Sequence, residues 1–324
     1  AAMDKTGRAK HYLAEILREK PHRLSAETEK VLAALRPVFN APYDIYHMTK
    51  LADMKFGSFT VNGREYPLDY SLFEDEYEYE ADTDVRRAAF RAFSDKLREY
   101  ENTTAATYNT YLTQQRIMAK QRGFADMFEA DLITEKLAPA MRKYARLVGK
   151  MNKLDRVTFA DLKLPLDAEF DPRVTIGESR EYVRSALSVL GQDYADMVDE
   201  AYDKRWIDFA RNVGKETGGF CSSPYGCNSY ILLSWNNRMA DVFTIAHELG
   251  HAGHFRLCNG AQSLFDTNVS GYLIEAPSTM NELLLAQDLL RKNTDKRFRR
   301  WVLSSLIGHT YHHNFVTHLR EAWY

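Results

Sequence analysis

Apolar residues recur at helical spacing along most of the chain, and this pattern predicts a mainly α-helical protein. The stretch 84–120 has apolar positions every three to four residues and is expected to form one long helix or a pair. The same spacing predicts further helices over 9–20, 25–39, 138–154 and 179–209. Ser25 is placed to cap the helix over 25–39, and a proline-containing loop over 164–172 separates the last two helices.

Residues 56–68 break the helical pattern and predict a β-hairpin. Two short runs rich in β-formers flank Asn62-Gly63, a pair that supplies the two left-handed turn residues of a tight hairpin. The acidic and aromatic stretch that follows, 73–80, predicts a solvated face in front of a helix, because runs of charge are usually exposed.

The composition is that of a soluble globular protein of 324 residues, 45% hydrophobic and 27% charged. A formal net charge of −2 argues against a nucleic-acid-binding surface, which requires a basic surplus. No apolar run is long enough for a membrane span, and the charged N-terminus lacks the apolar stretch of a secretory signal. The three cysteines, Cys221, Cys227 and Cys258, are too few for a disulfide framework, so we expect a cytoplasmic protein.

The segment His247-Glu-Leu-Gly-His251 carries the strongest chemical signal, and the apolar spacing of 239–246 places it within a helix. Residues four apart project from the same helix face, so His247 and His251 could bind one metal ion. Glu248 points roughly a quarter-turn away, where it would hold a metal-bound water rather than the metal. The pattern is typical of zinc hydrolases; the alternative is a core helix whose histidines have ordinary hydrogen-bond partners.

A catalytic zinc ion usually takes three protein ligands and leaves its fourth position to water, so a third ligand is required. The downstream candidates are His254, Asp266, Glu275, Glu282 and Asp288. His254 is too far along the helix from His247 to share its metal and is assigned to packing or to support of the ligands. Glu275 is preferred, because an apolar helical run is expected to begin there with Pro277 in its first turn. Glu282 would then support a ligand, while an ordinary carboxylate at a helix N-terminus is the alternative for Glu275.

The motif continues as Ala-Gly-His254 and is followed by Thr267-Asn-Val269 and Glu275-Ala-Pro-Ser-Thr-Met-Asn-Glu282. In this order and spacing the segments resemble the thimet oligopeptidase and oligoendopeptidase F family of zinc metallopeptidases, most closely the oligoendopeptidase F branch. The resemblance implies that His247, His251 and Glu275 bind zinc and that Glu248 is the catalytic base. It also implies that a strand pair within 214–235 binds extended peptide through its backbone.

The resemblance further implies a helical zincin-type fold with a deep substrate channel and small β elements near the active site. We expect an N-terminal helical region over 1–120 and a catalytic zinc-peptidase region over 121–324 that forms one continuous unit. Family members are longer at both ends, so the chain looks truncated. The tyrosine- and histidine-rich segment that supplies further donors to the tetrahedral intermediate in the family has no match in this sequence.

The leading hypothesis is a zinc-dependent endopeptidase that holds one zinc ion per chain and hydrolyses short oligopeptides. Zinc would lower the pKa of its water, and Glu248 would take the proton and later deliver it to the leaving amine. The alternative is a catalytically incomplete fragment that binds zinc and peptide without turnover. No nucleic-acid or membrane partner is expected, and the sequence does not predict an oligomeric state.

Overall fold

A computed structural model describes residues 23–121 and 145–311, apart from positions 162, 168, 213, 268 and 270, together with Leu17. Helices dominate these residues and two small sheets lie among them, which confirms the predicted mainly α-helical fold. The helix predicted over 9–20 lies outside the described residues except for Leu17. None of the described helices combines the length and the apolar character that a membrane crossing requires.

The helices follow the sequence pattern closely. In chain order they are α1 (Ala26–Ala34), α2 (Arg36–Met48), α3 (Tyr70–Asp75), α4 (Thr83–Glu99), α5 (Glu101–Gln121), α6 (Ile176–Leu187), α7 (Gln192–Asp203), α8 (Met239–Ala261), α9 (Gly271–Lys292) and α10 (Lys296–Tyr311). Ser25 caps α1 as predicted, because its hydroxyl accepts a hydrogen bond from the amide of Thr28 at 3.2 Å. The stretch 84–120 is a helix pair that divides at Tyr100.

Three helical predictions are only partly met. The helix predicted over 25–39 is divided at Leu35 into α1 and α2, and α2 continues to Met48. The run over 179–209 is divided into α6 and α7, because Gly191 turns the chain at a φ of 105° that few other residues adopt. It also ends early, since Ile207 and Asp208 form a strand. Of the helix predicted over 138–154, residues 145–151 are helical and the first residues lie outside the described part of the chain.

The described residues belong to two compact units. The first is drawn from Ala1–Asp69 and Ala88–Leu137, and the second from Tyr70–Arg87 and Ala138–Tyr324. Residues 70–87 therefore group with the C-terminal residues, although the expected division at residue 120 assigns them to the N-terminal region. Part of the reason is a buried ion pair in which Arg86 donates to Asp161 at 2.8 Å.

The hairpin of the first unit is confirmed. Strand β1 (Ser58–Val61) pairs antiparallel with β2 (Arg64–Pro67), and Asn62 and Gly63 both adopt positive φ in the turn between them. The ring of Phe56, just before β1, stacks on that of Phe93 at a centroid distance of 5.3 Å, which anchors the hairpin within the same unit.

The acidic stretch 73–80 is not the solvated face that the sequence predicts. Phe73 and Tyr77 are buried in the second unit. Three carboxylates of the stretch are paired with side chains distant in the sequence: Glu74 with Thr217, Glu76 with Arg211, and Glu78 with Lys163. The alternation of aromatic and acidic residues therefore serves burial and ion pairing within this unit.

A three-stranded sheet in the second unit has the order β3-β5-β4, with β3 at Ile207–Asp208, β4 at Gly219–Ser222 and β5 at Tyr230–Leu233. The outer strand β3 pairs parallel with β5, and β4 pairs antiparallel with it. Strands β4 and β5 lie within the predicted 214–235 segment. Because β4 is an edge strand, its backbone has a pairing partner on one side only among the described residues.

One apolar core in the second unit packs around α8. Its fully buried valine, leucine and isoleucine side chains come from five helices and are Val183, Leu187, Val198, Val242, Ile245, Leu249, Leu285 and Val302. Burial on this scale fixes α8 firmly, since each such side chain contributes about 1.5–3 kcal/mol when removed from water. Any polar group on α8 is thereby held in a defined position.

Candidate metal centre

Helix α8 carries the histidine motif, and its start is defined by polar contacts. The carboxylate of Asp241 accepts hydrogen bonds from the amides of Asn236 at 2.8 Å and Arg238 at 3.0 Å. These two amides precede the first helical turn, where backbone donors lack helical partners. Val242, Ile245 and Leu249 are fully buried, so one face of the helix lies in the apolar core.

Helix α9 carries Glu275 and packs along α8. It begins at Gly271, so the expectation that the helix begins at Glu275 with Pro277 in its first turn is wrong. Pro277 lies one turn deeper and removes the hydrogen bond that an amide would donate there. The sequence signal failed because the preference of proline for a first turn is statistical, whereas packing against α8 extends this helix on the N-terminal side of the proline.

The two helices approach each other closely at Gly250, within the motif itself. A Cβ atom at this position would lie 2.5 Å from Cα of Ser278 and 2.7 Å from the carbonyl oxygen of Pro277. These are backbone atoms, which cannot rotate away as a flexible side chain could. The absence of a side chain at Gly250 therefore allows α9 to contact the backbone of α8 directly.

A polar network fixes the same contact. Asn281, which is 1% exposed, donates through Nδ2 to the carbonyl oxygen of Ala246 at 3.0 Å and to the hydroxyl of Tyr194 at 3.0 Å. The hydroxyl of Tyr194 donates in turn to the carbonyl oxygen of Leu249 at 3.2 Å. The two carbonyls flank the turn that bears the first histidine, so α7 and α9 together hold that turn in place.

The predicted ligands converge in this setting. Donor atoms of His247, His251 and Glu275 all lie within 4.8 Å of one another. Oε2 of Glu275 is 3.2 Å from Nε2 of His247 and 3.3 Å from Nε2 of His251. Ligands at ordinary zinc–ligand distances in a tetrahedral site are about 3.3–3.5 Å apart, so both spacings fit a zinc ion. Two imidazoles with one carboxylate are also a recognised ligand set of catalytic zinc.

Glu282 orients the first histidine. Its Oε1 lies 2.6 Å from Nδ1 of His247, and only 6% of Glu282 is exposed. With Nδ1 engaged by the carboxylate, Nε2 is left to face Glu275, the arrangement that supporting carboxylates give to metal-bound histidines. Burial acts to lower the pKa of His247, but the hydrogen bond to Glu282 and the surrounding carboxylates outweigh it and raise the pKa.

The side chain of His251 is less exposed than that of His247, 12% against 24%. Burial and the neighbouring rings of His247 and His254 outweigh Glu275 and lower the pKa of His251, which favours the neutral form that binds metals. Nδ1 of His254 is buried and has no hydrogen-bond partner among the described residues, whereas His251 interacts with the backbone of Ile274. The ring of His254 stacks on Phe255, so packing is its visible role.

Glu248 is not among the three converging donors. It is 5% exposed and lies against β4, where a Cβ atom on Gly219 would come within 3.1 Å of its Oε1. Burial, with Glu275 and Glu282 nearby, raises the pKa of Glu248 to about 7. A carboxylate with a pKa in this range can both accept and return a proton near neutral pH.

The other two candidates lie elsewhere. Asp288 pairs with Arg291 and Lys292 on α9, and Asp266 accepts a hydrogen bond from Ser263. Four residues around the centre escaped the sequence reasoning: Tyr194, Gly219, Ser278 and Asn281. Ser278 follows Glu275 by three residues, the spacing of neighbours on one helix face, and this signal could have identified it.

The chain matches two protein-family models and several curated relatives. A model of peptidase family M3 matches residues 173–317, and an oligopeptidase F model matches residues 2–56. The oligopeptidase PepF of Bacillus subtilis is 30% identical over 313 residues, which cover 92% of this chain and 47% of the relative. The group B oligopeptidase PepB of Streptococcus agalactiae is 28% identical over 310 residues, covering 91% and 51%.

The fold is shared with solved structures. The crystal structure of oligoendopeptidase-F from Enterococcus faecium superposes with a TM-score of 0.61 at 24% identity, covering 95% of this chain and 51% of that one. The chain thus spans about half the length of the relatives that it matches. The two family models and the curated relatives agree on one assignment, and the chain belongs to the oligoendopeptidase F branch of peptidase family M3.

Proposed function

We propose that the chain is a zinc-dependent endopeptidase that hydrolyses short oligopeptides. The observation that carries the proposal is the convergence of three donor atoms from α8 and α9, beside a buried carboxylate that is not among them. The names of the matched relatives, oligopeptidase and oligoendopeptidase, support short peptides as the substrate class.

Each residue of the centre has a distinct task in this proposal. His247, His251 and Glu275 would hold one zinc ion. When bound, zinc supplies Lewis-acid chemistry that polarises a peptide carbonyl and lowers the pKa of a coordinated water. Glu248 would accept the proton of the attacking water and then deliver it to the leaving amine, a role that its pKa of about 7 suits.

Strand β4 is proposed to align the peptide. Gly219 of this strand lies against Glu248, and one edge of β4 has no partner strand among the described residues. An extended peptide can add to such an edge through backbone hydrogen bonds. The side chains of Phe220 and Ser222 are exposed on this strand and are available to a bound peptide. A deep channel that limits peptide length and a cytoplasmic location complete the proposal. The second is supported by the absence of a disulfide among Cys221, Cys227 and Cys258.

The decisive experiment replaces the proposed base. Glu248→Gln should retain one zinc ion per chain and lose about 10²- to 10⁴-fold in the cleavage rate of an internally quenched peptide. Glu181→Gln, at an exposed position on α6, is the matched control and should cleave at the wild-type rate. Near-normal turnover by the Glu248 variant with zinc bound would show that another group acts as the base.

A second candidate is a fragment that binds zinc and peptide without turnover. It is favoured by one observation, the coverage of only about half the length of the matched relatives. Zinc analysis and the same cleavage assay on the wild-type chain separate the candidates. Stoichiometric zinc with peptide binding but no cleavage would favour the fragment, whereas failure to bind supplied zinc would favour a core helix with ordinary histidines.

A further inference from the structure

Ser278 contacts the carboxylate of the third proposed ligand. Its hydroxyl lies 2.8 Å from Oε2 of Glu275 and 2.9 Å from the carbonyl oxygen of the same residue. Ser278 is 0% exposed, so water does not compete for this hydroxyl. The oxygen that it contacts is the same one that lies near both histidine Nε2 atoms.

Glu275 needs such support because its side chain is 59% exposed. A glutamate in solvent samples many rotamers, and each metal-binding event would have to remove that freedom. The two histidines project from a helix packed in the core, whereas the glutamate reaches the site through a long and flexible side chain. A fixed donor at the start of the next helical turn can select the rotamer in which Oε2 faces the histidines.

We propose that Ser278 is a positioning residue that pre-orients Glu275 for metal binding. The hydroxyl shares its proton between the carbonyl and the carboxylate of Glu275 and leaves another lone pair of Oε2 for the metal. The inference rests on the proposed function, since it assumes that Glu275 is a zinc ligand. It assigns a role to Ser278, which is not itself one of the proposed metal ligands.

The backbone of Ser278 is independently fixed, which makes its hydroxyl a dependable support. Its Cα and amide nitrogen pack against Gly250, where an added Cβ atom would lie 2.5 and 2.8 Å from them. The packed backbone of Ser278 therefore fixes the position from which its hydroxyl donates to the carboxylate of Glu275. Supporting groups of this kind typically contribute 10- to 100-fold to metal affinity.

The test replaces Ser278 by alanine and measures zinc affinity by competition with a chromogenic chelator. Ser278→Ala should bind zinc about 10- to 100-fold more weakly than the wild type. Thermal melting in EDTA checks that the variant is folded without metal, and alanine is favourable within a helix. Zinc should also raise the melting temperature of this variant less than that of the wild type.

Ser304 offers a matched control on α10. It is a buried helical serine, 7% exposed, whose hydroxyl donates to the carbonyl oxygen of Trp301 at 3.0 Å. It thus shares the backbone contact of Ser278 but not the contact with Glu275. Ser304→Ala should leave zinc affinity unchanged, which separates loss of a buried hydroxyl from loss of ligand orientation.

A double-substitution cycle tests whether the effect passes through Glu275. In a Glu275→Ala background, Ser278→Ala should change zinc affinity by less than about twofold, since no carboxylate remains to be oriented. An undiminished effect in that background, or wild-type affinity of Ser278→Ala alone, would overturn the positioning role. Failure of the wild-type chain to bind zinc would instead overturn the proposed function, so the two failures are distinguishable.

Discussion

The contact between Gly250 and α9 yields a quantitative prediction for Gly250→Ala. The added Cβ atom would meet Cα of Ser278 at 2.5 Å, the carbonyl oxygen of Pro277 at 2.7 Å and the amide nitrogen of Ser278 at 2.8 Å. Carbon atoms in contact prefer separations of about 3.5–4.0 Å, so the helices must move apart by roughly 1 Å. The three obstructing atoms belong to the backbone, and no rotamer change can relieve the overlap.

The same movement would damage the metal centre more than the fold. Donor atoms must lie within about 0.2 Å of their ideal distances, and a shift of α9 moves Glu275 relative to both histidines. We expect zinc affinity to fall by at least about 10- to 100-fold. Overpacking costs about 1–3 kcal/mol, whereas alanine stabilises a helix by about 1 kcal/mol relative to glycine. The free energy of unfolding of the metal-free variant should therefore be lower than that of the wild type by about 0–2 kcal/mol.

Gly260 provides the control in the same helix. A Cβ atom there would have no atom within 4 Å, so Gly260→Ala should stabilise the chain by about 0.5–1 kcal/mol and leave zinc affinity intact. Urea unfolding in EDTA measures the stability of each variant, and chelator competition measures the zinc affinity. Equal zinc affinities of the two variants would refute the conclusion that the close approach at Gly250 sets the ligand geometry.

Two further predictions concern Glu282 and Asp75. Glu282→Gln should weaken zinc binding by about tenfold, because a neutral amide orients Nδ1 of His247 less strongly than a carboxylate; unchanged affinity in a chelator competition would count against its supporting role. Burial, with neighbouring carboxylates, raises the pKa of Asp75 to about 6 from an ordinary value of 3.8. The folded chain therefore binds this proton more tightly than the unfolded chain, and the charged form destabilises the fold above a pH of about 6. Asp75→Asn should raise the free energy of unfolding at about pH 8 by about 1–3 kcal/mol, with the gain fading towards about pH 4 in urea titrations. A gain that is independent of pH would contradict this explanation.

Two of the candidate ligands, His247 and His251, could be placed together from the sequence because their placement depends on local geometry, whereas the helix start that favoured Glu275 was wrong. Helical spacing alone puts His247 and His251 on one face, and the run after Glu275 has a clear helical pattern. The hairpin at Asn62-Gly63 was predictable for the same reason, since two residues determine its turn.

Features that depend on distant partners were not predictable. Tyr194 reaches the carbonyl of Leu249 across 55 residues, and nothing in its own sequence neighbourhood indicates this contact. The acidic stretch 73–80 was misjudged because its cationic partners lie 85 to 135 residues away, as with Lys163 and Arg211. The predicted start of α9 was wrong because the start depends on tertiary packing and not on the local preference of Pro277 for a first turn.

The ion pair between Arg86 and Asp161 limits which segments of the chain can fold when they are expressed separately. A gene segment that encodes only 121–324 would keep Asp161 and lose Arg86, although both side chains are almost fully buried. Removing one partner of a buried ion pair typically costs about 3–5 kcal/mol, a large part of the stability of a domain. The shortest segment expected to fold around the histidine motif therefore has to include residues 70–87, although residues 88–137, which group with the first unit, separate them from Asp161 in the sequence.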